Sequence, residues 1–174
     1  MTALNVIKER TSYRGKYKNI PVPKEDLIKI MEAGLCAPSG CNTQTTSLIA
    51  VDDAEILEKF RSVMDSGFLS APAIICVLTQ AIPGYADVYF NIQDYSAAIE
   101  NMLLAIVELG YQSCWVEGQV TDVHKLGKVM ADILGVPEEY ELVCLLPVGV
   151  ADQPLNYVKR KPFEERAWFN GYRK

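Results

Sequence analysis

Two spacings of apolar residues divide this chain of 174 residues into predicted helices and strands. Apolar residues three or four positions apart indicate helices, and short β-branched runs indicate strands. The helical pattern covers residues 2–9, Lys24–Leu35 (with Leu27, Ile30, Met31 and Leu35 on one face), 54–64, 90–109 and 122–134. Strand signals cover 47–51, Ala73–Thr79, 113–116 and 141–150. This alternation predicts one α+β or α/β sheet covered by helices.

The longest predicted helix, 90–109, is apolar over most of its surface. Of the 18 residues from Ile92 to Leu109, 12 are apolar. With about 100° of rotation per residue, the polar ones fall on a single arc: Gln93, Asp94, Ser96, Glu100, Asn101 and Glu108. We expect a helix of this kind to be buried on more than one side, against its own sheet and against a second subunit.

Positive charge is concentrated at the two ends of an acidic chain. The sequence has 22 Asp and Glu residues against 17 Lys and Arg, giving a formal net charge of −5. The terminal cations are Lys8, Arg10, Arg14, Lys16 and Lys18, then Lys159, Arg160, Lys161, Arg166, Arg173 and Lys174. Two guanidiniums beside a hydroxyl, as in Arg10, Ser12 and Arg14, suit a phosphate monoester. Taken alone, this cluster is better explained as a solvated charged loop.

Several classes of function leave no pattern in this sequence. The only histidine, His124, has no neighbours at metal-ligand spacing, so we expect neither a metal site nor a histidine-dependent nucleophile. Walker A and dinucleotide-binding glycine motifs are absent. The net charge argues against general nucleic-acid binding.

Cysteine usage and the N-terminal sequence bear on the compartment. The five cysteines match no zinc or haem spacing, and three of them, at 76, 114 and 144, lie in apolar runs. The first residues do not resemble a signal peptide, and no apolar run approaches the roughly 20 residues that span a bilayer. We therefore expect a reduced, cytoplasmic protein without a membrane span, built as a single domain over residues 1–174.

Two polar junctions between predicted elements have side chains and backbone suited to a planar ligand. Ser39, Asn42 and Gln44 offer hydroxyl and amide groups that match the pyrimidine edge and ribityl hydroxyls of a flavin. Glu117 and Gly118 follow the predicted strand 113–116, and a glycine there lets the backbone approach a flat ring. An ordinary turn and a simple strand end are the alternative interpretations.

Five segments occur in a distinctive order along nearly the whole chain. They are Arg10-Thr11-Ser12-Tyr13-Arg14, residues 37–44 (APSGCNTQ), residues 94–115, Leu145-Leu146-Pro147-Val148-Gly149, and Arg160-Lys161-Pro162. In this order they resemble the nitroreductase family of FMN-dependent oxidoreductases. The resemblance implies an α+β fold whose central sheet, mixed but mainly antiparallel, is flanked by helices, with a long central helix at a dimer interface.

The resemblance also implies roles for individual residues. Arg10, Ser12 and Arg160 would hold the FMN phosphate, and Arg14 would lie nearer the N1–C2=O edge of the flavin. The backbone of residues 117–118 would face the hydride-accepting N5 atom. Residues that would reach the flavin from the partner subunit are Pro38, Ser39, Gly40, Asn42 and Gln44.

The implied reaction is a ping-pong hydride transfer from NADH or NADPH to a nitroaromatic, a quinone or a similar small acceptor. No side chain need act as a nucleophile, because the flavin carries the redox chemistry. Two alternatives stay open: a flavin-binding or flavin-sequestering protein with little turnover, and a reductase of the same fold with an unusual acceptor such as a halogenated aromatic.

The chain departs from the family pattern in two places. Thr45-Thr46 stands where the family often has Pro-Trp, and residues 64–68 lack the Asn and Lys of larger members. Tyr85, Tyr89 and Phe90 line either the substrate face or the core.

Overall fold

Three antiparallel strands form the central sheet of the computed structural model, which describes residues 2–172. The strands are β1 (Thr46–Val51), β2 (Ala73–Thr79) and β3 (Glu141–Val148), arranged in the order β1-β2-β3. Both outer strands pair antiparallel with β2, and every residue of β2 is buried. A strand covered on both faces requires a continuous apolar run, and residues 73–78 supply one.

Within the described residues, five α-helices surround this sheet. They are α1 (Ala3–Glu9), α2 (Lys24–Leu35), α3 (Ala54–Val63), α4 (Asn91–Glu108) and α5 (Gly127–Leu134). Short 3-10 turns occur at Gly40–Asn42, Gly67–Ser70, Tyr85–Asp87 and Phe163–Glu165. Asp53 begins α3 because its carboxylate accepts hydrogen bonds from the amides of Glu55 and Ile56, both at 3.0 Å.

Hydrophobic side chains on both faces of the sheet form the core. One face packs against α2 and α4 through Ile30, Ile99 and Met102. The other packs against α3 and α5 through Phe60 and Met130. All five side chains have no exposed surface. The expected α+β arrangement, an antiparallel sheet flanked by helices, is confirmed.

The strand predicted at 113–116 is wrong as a continuous strand. Isolated bridges join Gln112 to Gly149, Val116 to Leu145 and, in parallel orientation, Ser12 to Ser113. The Tyr13 amide donates to the Ser113 carbonyl at 2.8 Å. The ladder with β3 is interrupted where the register places Cys114 opposite Pro147, because proline has no N–H to donate. The strand β3 itself ends at Val148 and not at 150.

The helix predicted over 122–134 is wrong in its first half. Residues Gln119–Val123 form a wide π turn, and α5 begins only at Gly127. Lys125 has a φ of 53°, a left-handed conformation that interrupts a right-handed helix. Gly127 allows the start of α5 to pack closely against β3. Any other residue would clash there, because a Cβ would lie 2.4 Å from the Leu142 carbonyl oxygen.

Two residues differ in burial from what their residue type suggests. Leu35 is 61% exposed, while its neighbour Gly34 is buried against Met102. Asp94, expected on the polar arc of α4, is only 4% exposed. Asp94 is buried because groups from the 37–46 segment, distant in sequence, cover its carboxylate.

Candidate active site

The two termini of the chain are hydrogen-bonded to each other. The Thr11 hydroxyl donates to the Asn156 carbonyl at 2.9 Å, and the Asp152 amide donates to the Lys16 carbonyl at 3.0 Å. The buried Tyr13 hydroxyl accepts from the amides of residues 152 and 153 at 3.1 and 3.2 Å. Cations from both ends of the sequence are thereby brought onto one surface.

A cationic cleft of about 450 Å³ lies where the termini meet. Its lining, within the described residues, contains four cations and no carboxylate. The eight lining residues are Lys8, Arg10, Thr11, Ser12, Arg14, Tyr157, Val158 and Arg160. Arg160 donates from Nη2 to the Arg10 carbonyl at 3.4 Å. The Arg10 Nε lies 3.7 Å from Glu100 Oε1 on α4, which ties this guanidinium to the central helix.

Four of the residues predicted to bind a cofactor share this cleft: Arg10, Ser12, Arg14 and Arg160. A single chain therefore brings basic residues from both termini into one cleft, as an anion shared by the two ends would require. Lys159, Lys161 and Arg166 are exposed, whereas Arg173 and Lys174 lie outside the described residues.

The 37–46 segment has an unusual backbone. Cys41, Asn42 and Gln44 have φ values of 52°, 56° and 50°, which non-glycine residues seldom adopt. The Ser39 hydroxyl accepts from the Gln44 amide at 3.0 Å and closes the turn. Such a backbone persists only where surrounding contacts hold it.

Asp94 supplies those contacts from the first turn of α4. Its Oδ1 accepts from the Gly40 amide at 2.7 Å, and its Oδ2 accepts from the Thr45 hydroxyl at 2.8 Å. The Thr43 hydroxyl lies 3.4 Å from Oδ2 and donates to the Gly40 carbonyl at 2.8 Å. Thr45, one of the departures from the family pattern, is thus a buried partner of the anchoring carboxylate.

Close packing between Gly40 and Phe90 adds a second restraint. A Cβ on Gly40 would lie 2.4 Å from Phe90 Cβ and Cγ, so only glycine fits. Phe90 therefore packs on the loop, while Tyr85 and Tyr89, the other two aromatic candidates, are 82% and 52% exposed and do not belong to the core.

A second hollow, of about 190 Å³, borders this loop. Its lining includes Pro38, Ser39 and Gln44 together with Asp94. It shares no lining residue with the cationic cleft. The structure therefore does not bring the loop residues and the basic residues into one cavity of a single chain.

Glu117 is held by its side chain at the end of the 112–116 segment. Its carboxylate accepts from the Tyr95 hydroxyl at 2.8 Å and from the Trp115 indole N–H at 2.6 Å. Its carbonyl accepts from the amides of Val120 and Thr121 at 2.7 and 2.9 Å. The hydrogen bonds found within residues 2–172 use neither the Glu117 amide nor that of Gly118.

Gly118 leaves open space beside these two amides. It is exposed, and a Cβ built on it would meet no atom within 4 Å. Two free donors on a fixed and uncovered backbone are suited to an acceptor on an incoming ligand.

Three of the five cysteine thiols lie in the core, where burial opposes their ionisation. Burial raises the pKa of the Cys114 thiol to about 11, and burial also raises the pKa values of the Cys76 and Cys144 thiols. No group of three His, Cys, Asp or Glu side chains in the described part of the chain could hold a metal ion. His124 is exposed.

Three residues important to this geometry were not identified from the sequence: Asp94, Tyr95 and Trp115. Asp94 gave a partial signal, as an acidic residue in the first turn of a mostly apolar helix. The other two were indistinguishable from core aromatics, since their polar atoms reveal a role only through the position of Glu117.

Comparison with known proteins identifies the family. A sequence profile of the Nitroreductase family matches residues 7–74 and 63–150. A protein of Archaeoglobus fulgidus that bears the name NADH dehydrogenase/NAD(P)H nitroreductase is 32% identical over 148 residues, covering 84% of this chain and 83% of the relative. The chain belongs to the nitroreductase family.

Solved structures agree with this fold. An FMN-dependent nitroreductase from Clostridium difficile R20291 has a TM-score of 0.79 and 31% identity, covering 97% of this chain and 99% of that one. A nitroreductase from Bacteroides fragilis with bound FMN has a TM-score of 0.74 and 28% identity, covering 93% and 95%. Within residues 2–172, no helix is both long and apolar enough to cross a membrane.

Proposed function

We propose that this protein is a homodimeric, cytoplasmic FMN oxidoreductase. NADH or NADPH and a small acceptor, such as a nitroaromatic or a quinone, would use the site in turn. The observation that carries the proposal is the cationic cleft, in which Arg10, Ser12, Arg14 and Arg160 converge without an opposing carboxylate in its lining. When bound, FMN supplies the acceptance and release of hydride that no side chain of this site provides.

The donors in the cleft fit the phosphate end of FMN. Guanidinium groups pair bidentately with phosphate oxygens, and the Ser12 hydroxyl adds a neutral donor. The Arg160 guanidinium also donates to the Arg10 carbonyl at 3.4 Å, which keeps the two residues close together. We assign these three residues to the phosphate and Arg14 to the N1–C2=O edge, where a positive charge favours the reduced, anionic ring.

The free amides of Glu117 and Gly118 fit the ring end. The Ser12–Ser113 bridge places the start of the 113–117 segment beside the phosphate donors. Four residues of near-extended chain cover roughly 13 Å, so the free amides lie well away from the phosphate end. This separation suits a ligand with a phosphate at one end and a flat ring at the other.

A second subunit would complete the site. The loop carrying Pro38, Ser39, Gly40, Asn42 and Gln44 does not reach the cationic cleft of its own chain. An apolar cavity of about 500 Å³ between α1, α2 and α4 offers a surface for the second subunit, with Ala33, Leu104 and Ala105 in its lining. Leu4 on α1 and Leu35 on α2 are also exposed, at 71% and 61%.

The proposal is tested by a visible spectrum of the purified protein and an anaerobic titration with NADH and NADPH. We expect stoichiometric FMN binding and bleaching of the flavin absorbance by at least one nicotinamide, followed by recovery on adding a nitroaromatic or a quinone. A protein that binds no FMN contradicts the proposal. A bound flavin that stays oxidised identifies a flavin-binding protein with little turnover instead.

The shared site is tested by mixing two inactive variants, Arg10→Ala and Gln44→Ala. If these residues reach one flavin from opposite subunits, each mixed dimer contains one intact site and one doubly altered site. We therefore expect unfolding and refolding of the mixture to restore activity that neither variant has alone. Absence of recovery in mixed dimers, verified by differently tagged chains, places both residues in the site of one chain.

A further inference from the structure

We propose that Tyr95 and Trp115 are positioning residues that hold the Glu117 carboxylate and so fix the free amides of Glu117 and Gly118. This inference rests on the proposed function for its consequence at the flavin. The hydrogen bonds that carry it are properties of the protein alone.

The carboxylate is held from two different elements. Tyr95 lies in the second turn of α4 and reaches Glu117 Oε1 at 2.8 Å, whereas Trp115 precedes Glu117 by two residues and reaches Oε2 at 2.6 Å. Each oxygen thus has its own donor. Hydrogen bonds to an ionised acceptor are short and about twice as strong as neutral ones, so the pair defines the side-chain position closely.

Tyr95 is suited to this role because it remains a donor. The side chain is 5% exposed. Burial, together with the hydrogen bond to Glu117, raises the pKa of Tyr95 well above its usual value, so the hydroxyl keeps its proton at physiological pH. The hydrogen bond from Tyr95 therefore fixes the Glu117 side chain relative to the central helix α4.

Fixing the side chain of Glu117 also fixes its peptide. The backbone turns sharply here, because the Glu117 carbonyl accepts from both Val120 and Thr121. With the carboxylate and the carbonyl engaged, the free amides of residues 117 and 118 have little freedom to turn away. A ligand acceptor would meet donors that are already oriented, which reduces the entropy lost on binding.

The matched test compares Tyr95→Phe with Tyr111→Phe. Tyr111 also donates to a carboxylate, Asp26 Oδ2 at 2.9 Å, but elsewhere in the fold. In the protein without flavin, we expect Tyr95→Phe to speed hydrogen exchange of the Val120 and Thr121 amides about tenfold, the loss of one charge-assisted hydrogen bond. Tyr111→Phe should leave those two amides unchanged.

A second measurement uses riboflavin, which lacks the phosphate. We expect Tyr95→Phe to weaken FMN and riboflavin binding by the same factor, about five- to tenfold, because the change acts at the ring end. Trp115→Phe should act in the same direction. In a double-mutant cycle, Glu117→Gln should remove most of the effect of Tyr95→Phe, since both changes act through one contact.

The outcomes separate this inference from the proposed function. Unchanged exchange at residues 120 and 121 in Tyr95→Phe, or equal effects of the two tyrosine variants there, overturns the positioning role. Faster exchange in a protein that binds neither flavin supports the hydrogen-bonded arrangement and rejects the flavin site. Thermal denaturation of each variant shows whether a loss of binding reflects unfolding.

Discussion

Replacing Arg10 with alanine is expected to weaken FMN binding about 100-fold while changing riboflavin binding less than about threefold. Arg10 lines the cationic cleft, and its guanidinium would contact the phosphate that riboflavin lacks. Removing it also leaves Glu100, now 3.7 Å from Arg10 Nε, without this cation and able to repel a dianionic phosphate. Arg160→Ala lacks that second effect, so we expect a smaller loss, about tenfold.

The control is Lys18→Ala, which removes one positive charge from the same terminal segment. Lys18 is exposed and does not line the cleft. Isothermal titration of FMN and riboflavin into the wild-type and variant apoproteins measures the dissociation constants. Equal losses for both flavins in Arg10→Ala, or an equal loss of FMN affinity in Lys18→Ala, contradict the phosphate assignment. Glu100→Gln in the Arg10→Ala background should recover part of the lost FMN affinity.

Much of this fold follows from local sequence. The strand β2 begins with its apolar run and ends one residue after it, because a strand buried on both faces must be apolar along its length. The half-buried strand β1 begins one residue before the predicted 47–51 and ends with it. The sequence predicts that Arg10 and Arg160 lie close together. The reason is that an acidic chain with clusters of cations at its two ends indicates a shared anion. Both signals are carried by residue type alone.

The remaining features depend on contacts between distant residues. Asp94 is buried because Gly40 and Thr45, about fifty residues earlier, supply its donors. The segment 113–116 fails to form a regular strand with β3 because Pro147, which the register places opposite Cys114, has no N–H to donate. The spacing of apolar residues predicts neither the burial of Asp94 nor the irregular pairing of 113–116, because it depends only on residues nearby in the sequence.

Replacing Asp94 with alanine is expected to lower the free energy of unfolding by about 3 kcal/mol, because each buried donor left without a partner costs about 1–3 kcal/mol. The Gly40 amide and the Thr45 hydroxyl both lose their acceptor. With that acceptor gone, the loop loses one of the restraints that offset the strain of positive φ at Cys41 and Gln44. We therefore expect the loop to relax and both FMN and riboflavin to bind more weakly.

The matched control is Asp132→Ala, which removes an exposed carboxylate on α5 that pairs with Lys128 at 2.8 Å. Exposed pairs contribute about 0–1 kcal/mol, so little change is expected. Asp94→Asn should fall between the two, because its one carbonyl oxygen serves only one of the two donors, although the Thr45 hydroxyl can reverse and accept from the amide. Urea denaturation of the three variants measures the order. If Asp94→Ala is as stable as Asp132→Ala, Asp94 does not hold the loop, and the left-handed residues at 41–44 must be fixed by the Gly40–Phe90 packing instead.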